Sequence, residues 1–329
     1  MRYICLRIML IGVFVLSLSV SLQQVAWGAE FERRDVTFKS QGLDCAAWYY
    51  VPKELKSGER CPAIVMAHGF SLVKEAYLDK FAEKFAEAGF AVLVFDYRYL
   101  GASEGEPRGQ LFYYEQHQDY RNAITWVSLQ EEVDPKRIGI WGTSYSGGHV
   151  LHLGAFDKRV KAVVAQVPAT NSPERNQSMG GEALLRRISW QAAQRTEQYA
   201  TGLVKYFPVV ALDGKPCVFP QKESYEFFAE VEKIAPSWDN RVTVETLEII
   251  REYAPMTYIH LISPTPLLMI VASDDVLTST KAEKEAFERA REPKKLVVFE
   301  GGHFDVYQGP SFDKASGAAV EWFEQYLKP

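Results

Sequence analysis

Basic residues never gather in this sequence. No block of five or more Lys or Arg occurs in 329 residues, and the formal net charge is −5. The positive stripe that neutralises phosphates is missing, so no nucleic-acid partner is expected. Cysteine is scarce: Cys5, Cys45, Cys61 and Cys217 stand apart and do not form a zinc pattern. A Cys45–Cys61 disulfide and buried free thiols are both compatible with the spacing, which does not choose between them. Long apolar runs are lacking too. The run at residues 8–22 is interrupted by small Ser and Gly residues and falls short of the roughly 20 residues a spanning helix needs. No internal repeat or low-complexity linker is present. Apolar residues still make up 47% and charged residues 24%, enough for a large core and against global disorder.

What the N-terminus does have is a three-part pattern. Arg2 and Arg7 precede the apolar run, and Ala26-Trp27-Gly28 follows it with small residues at both cleavage-site positions. This is the form of a secretory leader, residues 1–28. The expectation is an exported, periplasmic or extracellular protein with no stable membrane insertion after cleavage. An uncleaved anchor is the alternative.

Beyond residue 28, strand-like and helix-like segments alternate. Residues 31–39 and 43–51 alternate apolar and polar, as an antiparallel opening pair would. Residues 62–67 (PAIVMA), 90–95 (FAVLVF), 137–141, 160–167, 266–272 (PLLMIVA) and 295–299 read as strands, the continuous apolar runs suiting strands buried on both faces. Residues 74–88, 117–130, 145–156, 280–291 and 312–327 read as helices. The order implies a mostly parallel sheet of about eight strands with helices on both faces, over residues 29–168 and 266–329. Between them no buried strand run occurs. The stretch holds helical segments at 182–199, 223–235 and 246–252 and is too long for a plain loop. It reads as a helical cap, residues 169–265, inserted over the sheet's C-terminal edge.

Chemistry is concentrated at residues 137–149, RIGIWGTSYSGGH. A strand runs into small residues and leaves as a helix, the setting of a nucleophile elbow. Gly142 and Ser146 are the small residues two before and two after Ser144, giving G-x-S-x-S where G-x-S-x-G is usual. Ser144 is the expected nucleophile and Ser146 its rival. A serine hydroxyl needs an adjacent base. His303, in the glycine-rich loop after the last strand, is the candidate among six histidines. The base needs an orienting acid. Asp274 and Asp275 both follow the strand at 266–272, and the register from Pro266 favours Asp275. The oxyanion calls for two donors: the Tyr145 N–H at the new helix's start and the Phe70 N–H after residues 62–67. His68 reads as structural. His149 and His152 lie three apart on a helix, but no third ligand is near in sequence, and no metal is expected. Gly101 to Gly105 lacks the Lys-Ser/Thr ending of a phosphate loop and reads as a turn. Phe112, Tyr113 and Tyr114, with Trp190, Tyr206, Phe207 and Trp238 from the insertion, are either pocket wall or core.

Several stretches together resemble the α/β-hydrolase superfamily, in its X-prolyl dipeptidyl-peptidase-like and polyketide-hydrolase-like branch. They are Ala67-His68-Gly69-Phe70 with Lys74-Glu75, Phe95-Asp96-Tyr97-Arg98 with Gly101 to Gly105, Ile140 to Gly148, and Gly301-Gly302-His303-Phe304. The resemblance covers roughly residues 31–168 and 266–329. It implies acyl-transfer hydrolysis without a metal or organic cofactor. It carries over Ser144, Asp275 and His303 as a triad and Phe70 and Tyr145 as oxyanion donors. A small-molecule ester, or a thioester, is the expected substrate. A peptidase of the X-prolyl or aminopeptidase type is the alternative, with Glu182 or Glu226 as candidates to hold a substrate amine. A non-catalytic binding protein on the same fold is the third reading.

Overall fold

The structure, a computed structural model, describes residues 28–177, 179–212 and 214–328. The expected leader therefore lies outside the described residues, apart from Gly28. β1 (Phe31–Ser40) and β2 (Leu43–Pro52) form an antiparallel hairpin. β3 (Cys61–Ala67), α1 (Leu78–Glu87) and β4 (Ala91–Phe95) follow, then α2 (Tyr113–Ser128), β5 (Val133–Thr143), α3 (Tyr145–Phe156) and β6 (Val160–Gln166). The insertion carries α4 (Ser172–Gln177), α5 (Gly181–Thr201), β7 (Tyr206–Phe207), α6 (Lys222–Ile234), β8 (Val242–Thr243) and α7 (Val244–Ile249). Two 3₁₀ turns, Ile250–Glu252 and Pro255–Leu261, lead back to the sheet. β9 (Leu267–Ala272), α8 (Thr280–Arg289), β10 (Lys294–Phe299) and α9 (Gly309–Leu327) complete the chain.

The main sheet has eight strands in the order β1-β2-β4-β3-β5-β6-β9-β10. From β4 to β10 the pairing is parallel. This is an α/β-hydrolase fold. Every residue of β3, β4 and β9 is buried, because helices cover both faces of the central strands. In α1 the buried Leu78, Phe81, Ala82, Phe85 and Ala86 recur at helical spacing and face the sheet. α1 starts later than the apolar spacing predicts, because Lys74 is bound to Asp96 and Tyr77 takes a left-handed conformation (φ 66°). Cys45 and Cys61 are both free, buried thiols. β4 lies between their strands, which settles the choice left open by spacing.

Candidate active site

Ser144 sits between β5 and α3 with φ 57° and ψ −115°, a backbone conformation that costs a non-glycine residue about 1–3 kcal/mol. Surrounding bonds hold it there. Its N–H donates to the Gln166 carbonyl at 2.8 Å, and its own carbonyl accepts from Ala169 at 2.9 Å and Gly148 at 3.2 Å. The turn is so tight that a β-carbon on Gly142 would lie 2.2 Å from the Ser146 carbonyl oxygen. One on Gly148 would lie 2.4 Å from that of Ala169. The small residues of the motif are therefore steric requirements of the elbow. Ser144 is partly exposed, whereas Ser146 is completely buried. The Ser146 hydroxyl donates to the His68 carbonyl and receives the Tyr97 hydroxyl at 2.6 Å. With its one proton committed inside the core, Ser146 ties α3 to the end of β3 and is not open to a substrate.

His303 brings β10's loop back over the sheet edge. A β-carbon on Gly301 (φ 124°) would collide with the Asp305 carboxylate at 2.4 Å, and Gly302 N–H donates to that carboxylate at 2.7 Å. The imidazole Nε2 lies 3.0 Å from Ser144 Oγ and Nδ1 lies 2.6 Å from Asp275 Oδ2. A proton on Nδ1 is shared with the carboxylate, which leaves Nε2 free to accept from the serine hydroxyl. Asp275 Oδ1 also accepts from the amides of Leu277 at 2.8 Å and Thr278 at 2.9 Å. Burial pushes the Asp275 carboxyl up, but the neighbouring His303 and these donors outweigh it and hold it below the usual carboxylate range. Asp274 is exposed and accepts from Ser273 Oγ at 2.6 Å, away from the imidazole.

Nothing in the sequence pointed to what stands behind Asp275. Thr278 Oγ1 lies 2.8 Å from Asp275 Oδ2 and 2.9 Å from Glu283 Oε1. A hydroxyl has a single proton to give. With Asp275 ionised, both contacts are hydrogen bonds only if Glu283 itself carries a proton and donates to Thr278. Glu283 is fully buried on α8, and that burial, with the negative Asp275 nearby, pushes its carboxyl well up.

On the opposite side of Ser144, a β-carbon on Gly69 would lie 3.0 Å from Ser144 Cβ, so the loop after β3 runs directly against the hydroxyl. Phe70 N–H follows on this loop, and Tyr145 N–H opens α3. Neither donates to a protein acceptor among the described residues. The loop is anchored from below: the buried Asp96 accepts Lys74 N–H at 2.7 Å, Lys74 Nζ at 2.8 Å and Ala102 N–H at 3.1 Å. Burial lowers the Lys74 ammonium, and the Asp96 and Glu75 carboxylates reverse this to a net upward shift. His68 is buried beside Asp96 and edge-on to Tyr97, and burial lowers its basicity despite that carboxylate. Residues 101–105 form a turn, with Arg108 donating to the Ser103 and Gly101 carbonyls at 2.5 and 2.6 Å.

Residues 42–305 match the X-Pro dipeptidyl-peptidase (S15) family. The chain belongs to this family. Among its relatives, the quorum-quenching protein AidA of Acinetobacter baumannii is 30% identical over 294 residues, 89% of this chain and 95% of AidA. The thiohydrolase aneE of Aspergillus aculeatus is 30% identical over 81% of this chain and 86% of its own length. The crystal structure of the α/β hydrolase GrgF from Penicillium sp. sh18 superposes with a TM-score of 0.78 and 29% identity, covering 91% of this chain and all of GrgF.

In this S15-family hydrolase, a cavity of about 710 Å³ opens beside the elbow. Phe70, Phe219, Leu247, Ile250 and Leu277 give it apolar walls. The aromatics singled out from the sequence lie elsewhere. Tyr113 stacks on Tyr253 at 4.9 Å, Trp238 on Phe228 at 5.3 Å, and Trp190 meets Phe207 edge-on at 5.5 Å. Phe112 is buried, Tyr114 packs against it, and Tyr206 lies under the Arg241 guanidinium. The Phe70–Phe219 contact at 5.4 Å and the Phe227–Phe304 stack at 4.2 Å join the insertion to the loops that carry Phe70 and His303. His149 and the half-buried His152 cluster with His117, and His117 and His149 are buried. His149 Nε2 meets Gln116 Oε1 at 2.8 Å, its Nδ1 meets Tyr253 Oη at 2.7 Å, and the rings of His117 and His152 stack at 4.1 Å. Glu182 and Glu226 are exposed and paired with Arg186 and Lys222 on their own helices. The acid that does approach the site is Glu223 of α6: its Oε2 is 3.0 Å from where a β-carbon of Gly302 would stand.

Proposed function

We propose that the chain is an exported serine hydrolase that cleaves carboxylic esters, thioesters included, through an acyl-enzyme on Ser144. One observation carries the reading: His303 lies between the Ser144 hydroxyl, at 3.0 Å, and the Asp275 carboxylate, at 2.6 Å. As the Ser144 oxygen bonds the acyl carbon, its proton passes to His303 Nε2 and the carbonyl π electrons move to the oxygen. The Phe70 and Tyr145 amides stabilise that oxyanion. The intermediate collapses, the bond to the leaving oxygen or sulfur breaks, and His303 gives the leaving group its proton. Water then attacks the acyl-enzyme, passing its proton to His303, which returns it to Ser144 as the acid departs. Asp275 stays ionised throughout and holds the ring's orientation. The insertion acts as a cap over the acyl group, a role supported by its two aromatic contacts to the site loops. The leader pattern supports export, and the relative named as a thiohydrolase supports the thioester activity.

The purified protein is expected to react with a fluorophosphonate probe and to hydrolyse p-nitrophenyl acyl esters. Ser144→Ala should lose labelling and at least about 10³-fold in kcat/KM. Ser146→Ala should keep labelling while losing about 1–3 kcal/mol of stability through its broken buried hydrogen bonds. Labelling that survives in Ser144→Ala but not in Ser146→Ala would transfer the nucleophile. Glu223 favours a second reading, a peptidase whose substrate amine pairs with that carboxylate. Faster cleavage of aminoacyl or prolyl nitroanilides than of p-nitrophenyl esters, abolished by Glu223→Gln, would replace the first reading by the second.

A further inference from the structure

The cavity beside Ser144 carries basic side chains in a protein whose net charge is −5. Among the described residues its walls hold Arg187, Arg251, Lys281 and Glu285, and Arg187 has a partner of its own. Lys281 and Glu285 are spent on each other, 3.7 Å apart on α8. Arg251 is different. It lies on the 3₁₀ turn Ile250–Glu252, is half-buried, and has a Nε shut off from solvent with no hydrogen-bond partner. Among the described residues its guanidinium has neither an ion-pair nor a hydrogen-bond partner. Its neighbours in the wall, Leu247 and Ile250, are apolar. A cation withdrawn from water in apolar surroundings is costly until an anion meets it, and a guanidinium's planar fork matches a carboxylate's two oxygens.

Resting on the hydrolase reading, we infer that Arg251 anchors a carboxylate on the acyl portion of the substrate, so that monoesters and monothioesters of dicarboxylic acids are the preferred class. The side of the scissile bond follows from the walls. Phe70, beside the oxyanion position, lines the cavity, whereas His303, which protonates the leaving group, does not. The cavity therefore receives the acyl chain. Its apolar walls hold the methylenes, and Arg251 holds the far end.

The test compares p-nitrophenyl monoesters of adipic and suberic acids with their methyl-capped counterparts. The wild-type protein should favour the anionic ester roughly 10- to 100-fold in kcat/KM, the range of one charge-assisted hydrogen-bonded contact. This ratio should shrink as salt rises. Arg251→Met should reduce the ratio at least about tenfold, and Arg251→Lys should restore part of it. Calorimetric binding of monomethyl adipate to Ser144→Ala and to Ser144→Ala/Arg251→Met, neither of which can turn the ester over, supplies a second readout. A ratio near one in the wild type, or an equal ratio in wild type and Arg251→Met, would overturn the assignment. So would equal adipate binding by the two Ser144→Ala proteins. A preference for an anionic leaving group instead would place the carboxylate on the wrong side and overturn it too. Failure of every ester, neutral ones included, would strike the hydrolase reading itself, and calorimetry would then decide Arg251 alone.

Discussion

At the scale of single residues, Glu283 is the group that sequence inspection passes over. It lies on a helix rich in charge, where a glutamate ordinarily faces water, and only the fold turns it inward against Thr278. Burial raises its carboxyl well above the ordinary glutamate value, so between the two values the folded protein keeps a proton that the unfolded chain releases. Stability linked to this group is therefore full below the ordinary value and declines as pH rises towards the folded one. Glu283→Gln removes the decline. Its melting temperature should exceed the wild type's at pH 7, by a margin that closes as pH falls towards the ordinary glutamate value. A protonated carboxyl stretch in the infrared spectrum at pH 7, absent from Glu283→Gln, checks the same point directly. A margin that widens on acidification would show that Glu283 is ionised in the folded state. Ser146 was equally opaque. Its small size was readable from the motif, but not the His68 carbonyl it binds, because that partner arrives from another strand.

At the scale of elements, the strand–turn–helix around Ser144 was legible because steric demand there selects small residues in fixed positions. Strands β3, β4 and β9 were legible because burial on both faces leaves continuous apolar runs. Element ends were less so. α2 begins at Tyr113 rather than at residue 117, since apolar periodicity marks a helix's face and not its cap. The two-residue ladder of β7 with β8 is too short to leave any periodic trace. What joins the elements also escapes pattern reading, and the Lys74–Asp96 pair is the clearest case. It fastens the loop after β3 to the end of β4, and both side chains are buried. Lys74→Met leaves the buried Asp96 carboxylate without its cation and should cost about 3–5 kcal/mol in urea unfolding, whereas Asp96→Leu should cost less because Lys74 keeps Glu75 at 3.2 Å. The double variant should cost less than the two single losses together. Strict additivity would mean that the pair does not act as a unit.

At the scale of the whole molecule, α2 and α3 are clamped by histidines that must remain neutral. Burial lowers His117 and His149 well below the ordinary histidine value, and His152 to about 4. The unfolded chain takes up these protons first as pH falls through 6.5, so their contribution to stability is complete above that pH and drains away below it. His152→Phe retains a stackable ring and removes one such proton. Between pH 6.5 and 4.5 its melting temperature should fall less steeply than the wild type's, and equal slopes would exclude His152 from the acid response. A last feature offers a handle on the molecule in use. Of the three cysteines among the described residues, Cys45 and Cys61 are sealed in the sheet, while Cys217 lines the cavity and is partly open to solvent. Among the described residues a thiol-directed fluorophore would therefore settle at one address, within the cavity beside Ser144. Its brightness could report filling and emptying in real time, without any chemistry at Ser144.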